Sequence, residues 1–305
     1  MLKYIGKSLV QIIPVLLILS CIVFILLHIA GSPLDLMLPE NATEEDRAVL
    51  ASALGLDQPV HVQYWRFLKG IVRGDFGNSY RYNNEPALGI VLERLPESLQ
   101  LAGCTLGFTI IVGISLGILS ALYRNKPIDL VIRSISVFGK TVPNFWLGIM
   151  LIIIFAVTLK WLPPSGSGSW EYLILPTVTL GFGYATRVTS LVRANLLDVL
   201  GQDYIRTARS KGLSEFTIVV KHGLKNSLLP VVTVLAMDLA RILGGSMIVE
   251  TIFSYPGMGQ LIMKAVTNKD MAIVQAGVFV IAIIMLICNL IADILYVVLD
   301  PRIKY

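Results

Sequence analysis

Long apolar runs, separated by short polar ones, dominate this 305-residue chain. Residues 8–30, 98–123, 141–159 and 271–292 contain no Asp, Glu, Lys or Arg. Each reaches or passes the roughly 18 residues that argue for a membrane span. At 1.5 Å per residue, the stretch 8–30 reaches about 34 Å, enough to cross the hydrocarbon layer. Two further stretches have the length but carry charge. Residues 172–192 include Arg187 near one end, and 229–250 hold Asp238 and Arg241 in their interior. The pattern predicts an all-α membrane protein with six transmembrane helices.

The polar intervals carry helix signals of their own. Thr43 precedes Glu44-Glu45-Asp46, with Gly55 as a stop, and a second short helix runs from Pro59 towards Gly70 or Gly74. Asp75-Phe-Gly-Asn-Ser79 reads as a turn or loop. The expected organisation is a tail and first span at 1–30, a helical extracytoplasmic segment at 31–97, a transmembrane core at 98–299, and a tail at 300–305. The second span is expected to follow Leu95-Pro96-Glu97-Ser98. It carries Gly103, Gly107, Gly113 and Gly117, a spacing that lets helices pack closely. The third runs over 128–159, with Val142-Pro143-Asn144 as a kink. Trp161 and Trp170 end an outer turn, where interfacial aromatics belong.

Composition supports the membrane reading. The chain is 55% hydrophobic and 15% charged, against about 25% charged in soluble domains. The net charge of +5 speaks for orientation and not for nucleic acid. Lys3 and Lys7; Arg124, Lys126 and Arg133; Arg193, Arg206, Arg209, Lys211, Lys221 and Lys225; and Arg302 and Lys304 form four groups beside span ends. All four become cytoplasmic together if both termini are inside and there are six crossings. Cys21, Cys104 and Cys288 lie in apolar runs and read as small core residues without a disulfide framework. The first run is longer than a signal-peptide core, and His28 occupies the −3 position of a site after Ala30. A retained first span is expected.

Residues 198–230 form a polar, basic segment between apolar runs. Asp203–Lys211 holds good helix formers, Gly212 suits a left-handed stop, and Ser214 caps a second helix from Glu215. Such an elbow is a rigid knob for an attached motor, or else a plain amphipathic helix on the membrane surface. Here the sequence resembles the dipeptide/oligopeptide/nickel permease family of bacterial ABC importers. That branch typically reads Tyr-x-Arg-Thr-Ala-Arg-x-Lys-Gly-Leu, and Tyr204 to Leu213 follows this form throughout. Against the broader loop motif, Glu-Ala-Ala, three residues, Gly, nine residues, Ile-x-Leu-Pro, the match is poorer. Ala208, Gly212 and Leu224 agree. Arg206 and Thr207 replace the Glu and first Ala, His222 the Ile, and Lys225 the Pro. Leu54-Gly-Leu-Asp-Gln-Pro59, Gly74-Asp-Phe-Gly77, Arg94-Leu-Pro-Glu-Ser98, Val249-Glu-Thr-Ile-Phe253, Pro256-Gly-Met-Gly259 and Asp300-Pro-Arg302 are similar to family landmarks.

The resemblance implies a type I ABC importer permease in the bacterial inner membrane, a non-catalytic subunit without a cofactor. Its implied partners are a second homologous permease, two ATPase subunits and an extracytoplasmic substrate-binding protein. The implied substrate is a dipeptide, an oligopeptide, glutathione, nickel or another metal chelate. Tyr204, Arg206, Ala208, Arg209, Lys211, Gly212, Leu213, Glu215, His222, Leu224 and Lys225 are the expected ATPase-coupling residues.

Charges inside spans are costly and need partners. Asp238 and Arg241, three apart, share a helix face. They form either a structural pair or part of the translocation path, and Arg187 in the fourth span and Asn289 and Asp293 in the last stand under the same alternative. His28, His61 and His222 fall at three different levels of the chain and make no metal site. Gly6-Lys-Ser8 and Gly139-Lys-Thr141 imitate the end of a phosphate loop, but positions 2 and 135 are Leu and Ile where that loop needs Gly. Energy for transport must then come from a separate ATPase. An ion-coupled secondary transporter is the alternative; it predicts inverted repeats around paired acids, and none is visible. An intramembrane enzyme needs a nucleophile–base or metal set that the apolar runs do not supply.

Overall fold

The computed structural model describes residues 2–30, 43–55 and 57–299. The tail 300–305 with Asp300-Pro-Arg302 and Lys304, residues 31–42, and Leu56 lie outside the described residues. So do the side chains of Lys3, Lys7, His28 and Leu54. In chain order the elements are α1 (Leu2–Ala30), α2 (Glu44–Leu54), α3 (Val60–Arg73), a hairpin of β1 (Asn78–Ser79) and β2 (Glu85–Pro86), α4 (Ala87–Leu122), α5 (Pro127–Thr141), and α6 (Asn144–Leu151), which continues as a π-helix (Ile152–Thr158). Then come α7 (Glu171–Leu200), α8 (Asp203–Ser210), and α9 (Glu215–Thr217), which passes through a π-helix (Ile218–Gly223) into α10 (Leu224–Ser227). The chain closes with α11 (Leu229–Ile252), α12 (Met258–Thr267) and α13 (Met271–Leu299).

Two compact units emerge, Met1–Pro96 with Gly257–Ile284, and Glu97–Pro256 with Met285–Tyr305. In the first, α2 begins with the expected cap. The Thr43 hydroxyl accepts from the Asp46 N–H at 3.2 Å, and the Asp46 carboxylate accepts from the Thr43 N–H at 3.0 Å. Gly55 ends α2 at φ 70° and Gly74 ends α3 at φ 72°, the left-handed conformation glycine adopts without penalty. Phe24 meets Tyr64 and Phe67 with ring centroids 5.2 and 5.8 Å apart, and Phe279 meets Phe67 and Phe76 at 6.2 and 5.6 Å. The unpredicted hairpin is tied down by Asp270, whose carboxylate accepts from the Ser79 hydroxyl.

In the second unit α7 is the innermost helix, packed against α5, α6 and α11. It carries four Thr, yet is buried along much of its length. The buried Thr177 hydroxyl has no partner among the described residues, but others close back onto the helix's own backbone: Thr179 donates to the Leu175 carbonyl at 2.7 Å and Thr189 to the Ala185 carbonyl at 2.8 Å. A Thr satisfied in this way enters a core as a small residue. Gly113 and Gly117 face Val188 and Val192 of α7 so closely that an added Cβ meets their side chains at 2.8 and 2.6 Å. Gly103 and Gly107 have nothing within 4 Å. The close-packing role expected of four glycines belongs to two.

Three described stretches are each long and apolar enough to cross a membrane: Ala87–Leu122, Leu229–Ile252, and Met271–Leu295 within α13. The helix that carries the expected second span begins eleven residues before 98, at Ala87. Pro96 lies inside α4 because it removes one backbone donor without stopping the helix. Buried Ala87, Ile90 and Val91 hold the earlier turns at helical spacing. The expected kink in the third span is a break: α5 and the helix from Asn144 to Thr158 meet at 112°. Val142 precedes proline and takes an extended ψ of 126°. Counted as one span, the bent pair makes four; α7 and α1, apolar over Ile12–Leu26, are the other helices of the expected six. Cys288 is buried as expected, whereas Cys21 and Cys104 are exposed, since an apolar run in a membrane chain turns part of its surface outward.

Candidate functional site

The loop between α7 and α11 folds as a bent, docked element. α8 ends at Ser210, and Gly212 turns the chain at φ 77°. The Ser214 hydroxyl then caps the next helix by accepting from the Thr217 N–H at 3.3 Å. Across the bend the Arg209 guanidinium grips both oxygens of Glu215, at 2.7 and 3.2 Å. That bond holds the Glu215 carboxyl below its ordinary value and raises Arg209 above its own. Beneath the bend, Ile205, Ala208 and Ile218 are buried together against Leu200. Val219 joins Leu196 and Ala121, with Leu224 packed beside them. The Asn226 amide donates to the Tyr204 hydroxyl at 3.0 Å, so the first helix is also tied to the last turn before α11.

The expected coupling residues divide by position. Ala208 is buried and Leu224 half-buried, so they form the foot of the loop. Tyr204, Arg206, Arg209, Lys211, Gly212, Leu213, Glu215 and Lys225 are exposed, and His222 is half-buried. Phe216, 77% exposed, adds an apolar tip that the sequence reading passed over. A lone Phe after a capping Ser and a Glu was its only signal. The helix expected from Glu215 is α-helical for one turn and π-helical from Ile218. Such segments occur frequently at functional sites.

A second polar constellation sits among the helices. Asp238 is fully buried. Its Oδ1 accepts from Arg187 Nη1 at 2.9 Å and from Arg241 Nη1 at 3.3 Å. Its Oδ2 is buried with no hydrogen-bond partner among the described residues. The structure thus brings Arg187, a charge expected to be either structural or part of the path, to the expected Asp238–Arg241 pair. It does not bring Asn289 and Asp293 there. Asn289 is exposed, and among the described residues neither makes a hydrogen bond or an ion pair.

Two further polar knots were not read from the sequence. Asp129 on α5 accepts from Arg193 Nε and Nη2, each at 2.8 Å, from the Ser120 hydroxyl at 2.6 Å and from the Asn125 N–H at 2.9 Å. Glu250 at the end of α11 accepts from Ser98 and Ser246, both at 2.8 Å. Their signal was a single acid at the end of an apolar run. Lys140 of the Gly-Lys-Thr triplet is exposed and donates to the Ser190 hydroxyl of α7 at 2.8 Å.

Residues 113–305 match the family "Binding-protein-dependent transport system inner membrane component", and residues 1–102 match its N-terminal component. The chain is 38% identical over 306 aligned residues to the glutathione transport system permease protein GsiC of Salmonella paratyphi A and to that of Escherichia coli strain K12. All of this chain and all of each relative are covered. Among solved structures, a chain of the inward-facing MetNI methionine ABC transporter superposes with TM-score 0.57 at 18% identity, covering 69% of this chain and 96% of that one. A chain of an amino acid ABC transporter gives 0.52 at 17%, covering 70% and 94%.

Proposed function

Because the chain belongs to the family of binding-protein-dependent transport system inner membrane components, we propose that it forms half of a translocation pathway in an ATP-driven importer of short peptides. A second homologous permease supplies the other half. Two ATPase subunits dock on the loop at 203–225, and a binding protein delivers substrate from the opposite face. Glutathione, a tripeptide named for the GsiC relatives, is the first substrate to try. Both termini and the loop then lie on the cytoplasmic side of the bacterial inner membrane, with 31–97 outside it.

The observation that carries this reading is the built elbow. α8 and α9 are locked by the Arg209–Glu215 grip and seated through Ile205, Ala208 and Ile218 on the end of α7. Its exposed face offers Tyr204, Arg206, Lys211, Leu213 and Phe216 to a partner. A stiff element rooted in α7 and α11 transmits closure of the ATPases to the helices around them. The spans then switch between inward-open and outward-open states as rigid bodies. His222 and Lys225, on the half of the loop nearer α11, stand at the edge of the docking face, and Leu224 anchors it from below.

Replacing Gly212 by Val tests the elbow. Gly212 has open space around it, so the only penalty is the left-handed φ, about 1–2 kcal/mol for a residue with a Cβ. The bend opens while the rest of the chain stays folded. ATPase subunits then copurify in reduced amount, or hydrolyse ATP without uptake. Normal copurification with normal coupled, vanadate-sensitive uptake contradicts the elbow as a lever.

A further inference from the structure

Asp238 gives only one oxygen to two arginines. Arg187 and Arg241 both reach Oδ1, each through Nη1 alone. The Nε–Nη2 edge of each guanidinium, the edge that fits a carboxylate in two parallel bonds, has no protein acceptor among the described residues. The side chain of Arg187 is 44% exposed and that of Arg241 53%, while Asp238 is 0%. One negative and two positive groups leave one positive charge near the middle of α7 and α11. Unbalanced charge among membrane helices is expensive. It is met most directly by an anion arriving from the open side.

We propose that the free edges of Arg187 and Arg241 form a transient site for a carboxylate, here the C-terminal carboxylate of a peptide in transit. The proposal rests on the reading that this chain lines a translocation pathway for peptides. Asp238 is a positioning residue: buried and shared, it holds the two guanidiniums side by side and keeps the site at one positive charge. That charge favours an anion without holding it as firmly as two free arginines do, and a transport site must release what it binds. Tyr184 lies beside the cluster on α7, and a Cβ placed on Gly245 of α11 comes 3.7 Å from its hydroxyl. The Asp129–Arg193 pair shows what a closed pair looks like here: both oxygens are engaged, and Arg193 is only 20% exposed.

The test uses the permease complex with its ATPases in lipid nanodiscs, without the binding protein. Saturation-transfer NMR reads direct binding of alanyl-alanine and of its C-terminal amide. The free acid binds, and the amide, lacking the charge, binds about tenfold more weakly. The double variant Arg187→Gln, Arg241→Gln brings acid and amide to the same level. Arg241→Lys beside an intact Arg187 recovers part of the preference, since an ammonium supplies charge without the planar fork. A purely structural ion pair leaves the acid-to-amide ratio unchanged in every assembled variant. Equal binding of acid and amide by the unaltered complex, or binding of neither, overturns the proposal even if the double variant does not assemble. ATP-driven uptake by the complete system separates the two readings. Uptake without an acid preference removes only the carboxylate site, whereas no ATP-dependent uptake removes the importer reading beneath it.

Discussion

Asp129 and Asp238 both meet arginines between packed helices, yet the two regions are built differently. Asp129 fills both oxygens with Arg193 and adds Ser120 and a backbone N–H. Asp238 shares one oxygen between two half-exposed arginines and leaves the other unbonded. A buried ion pair repays its desolvation only when geometry is good and the remaining lone pairs are satisfied. The first site meets that condition and reads as a clamp. It ties the α4–α5 turn to α7 seven residues before that helix ends at Leu200. The second does not meet it, and its incompleteness is better explained by a visiting ligand than by stability.

Four outcomes break or sharpen this contrast, from largest to smallest. Asp129→Asn removes the charge from a filled site and is expected to cost about 3–5 kcal/mol, read as a large drop in thermal stability of the purified protein in detergent. Asp238→Asn should cost clearly less, about 1–2 kcal/mol, because one oxygen was never engaged; equal losses in the two variants erase the distinction. Ser120→Ala removes one of four donors to Asp129 and should lower stability by about 1 kcal/mol, with no change in any acid-to-amide preference. Arg209→Ala, at an exposed pair, should shift the melting temperature by the equivalent of less than about 1 kcal/mol. The last effect has a pH signature. The folded protein holds Glu215 below its ordinary value, so the pair's contribution is present above the carboxylate range. It is lost as pH falls through the lowered value. Wild type and Arg209→Ala should therefore converge only once pH has fallen below the lowered Glu215 value, and a difference that persists when the carboxyl is fully protonated assigns the effect to something other than this pair.

Much of the architecture was legible along the chain. Apolar runs without charge marked the helices, and Thr43, Gly55, Gly74 and Gly212 marked ends and bends through local chemistry. Boundaries set by tertiary packing were not legible. α4 extends through Pro96 because Ala87, Ile90 and Val91 have something to pack against, and the turn at Val142-Pro143 opens to 112°. The cluster at Asp238 was half visible. Arg241 is three residues away on the same helix, so spacing found it, whereas Arg187 lies 51 residues off. Asp129 with Arg193 was missed for the same reason, being 64 apart. Single charges at the ends of apolar runs say that partners exist, and only the packing of α7 against α5 and α11 says which.

The measurement that tests the proposed role most directly is solute uptake into sealed vesicles, by the permease pair alone and by the pair with its ATPases and binding protein. An importer permease should move no glutathione or dipeptide on its own under any ion gradient, and should do so with ATP once the partners are present. Accumulation by the permeases alone, driven by a proton or sodium gradient, contradicts it.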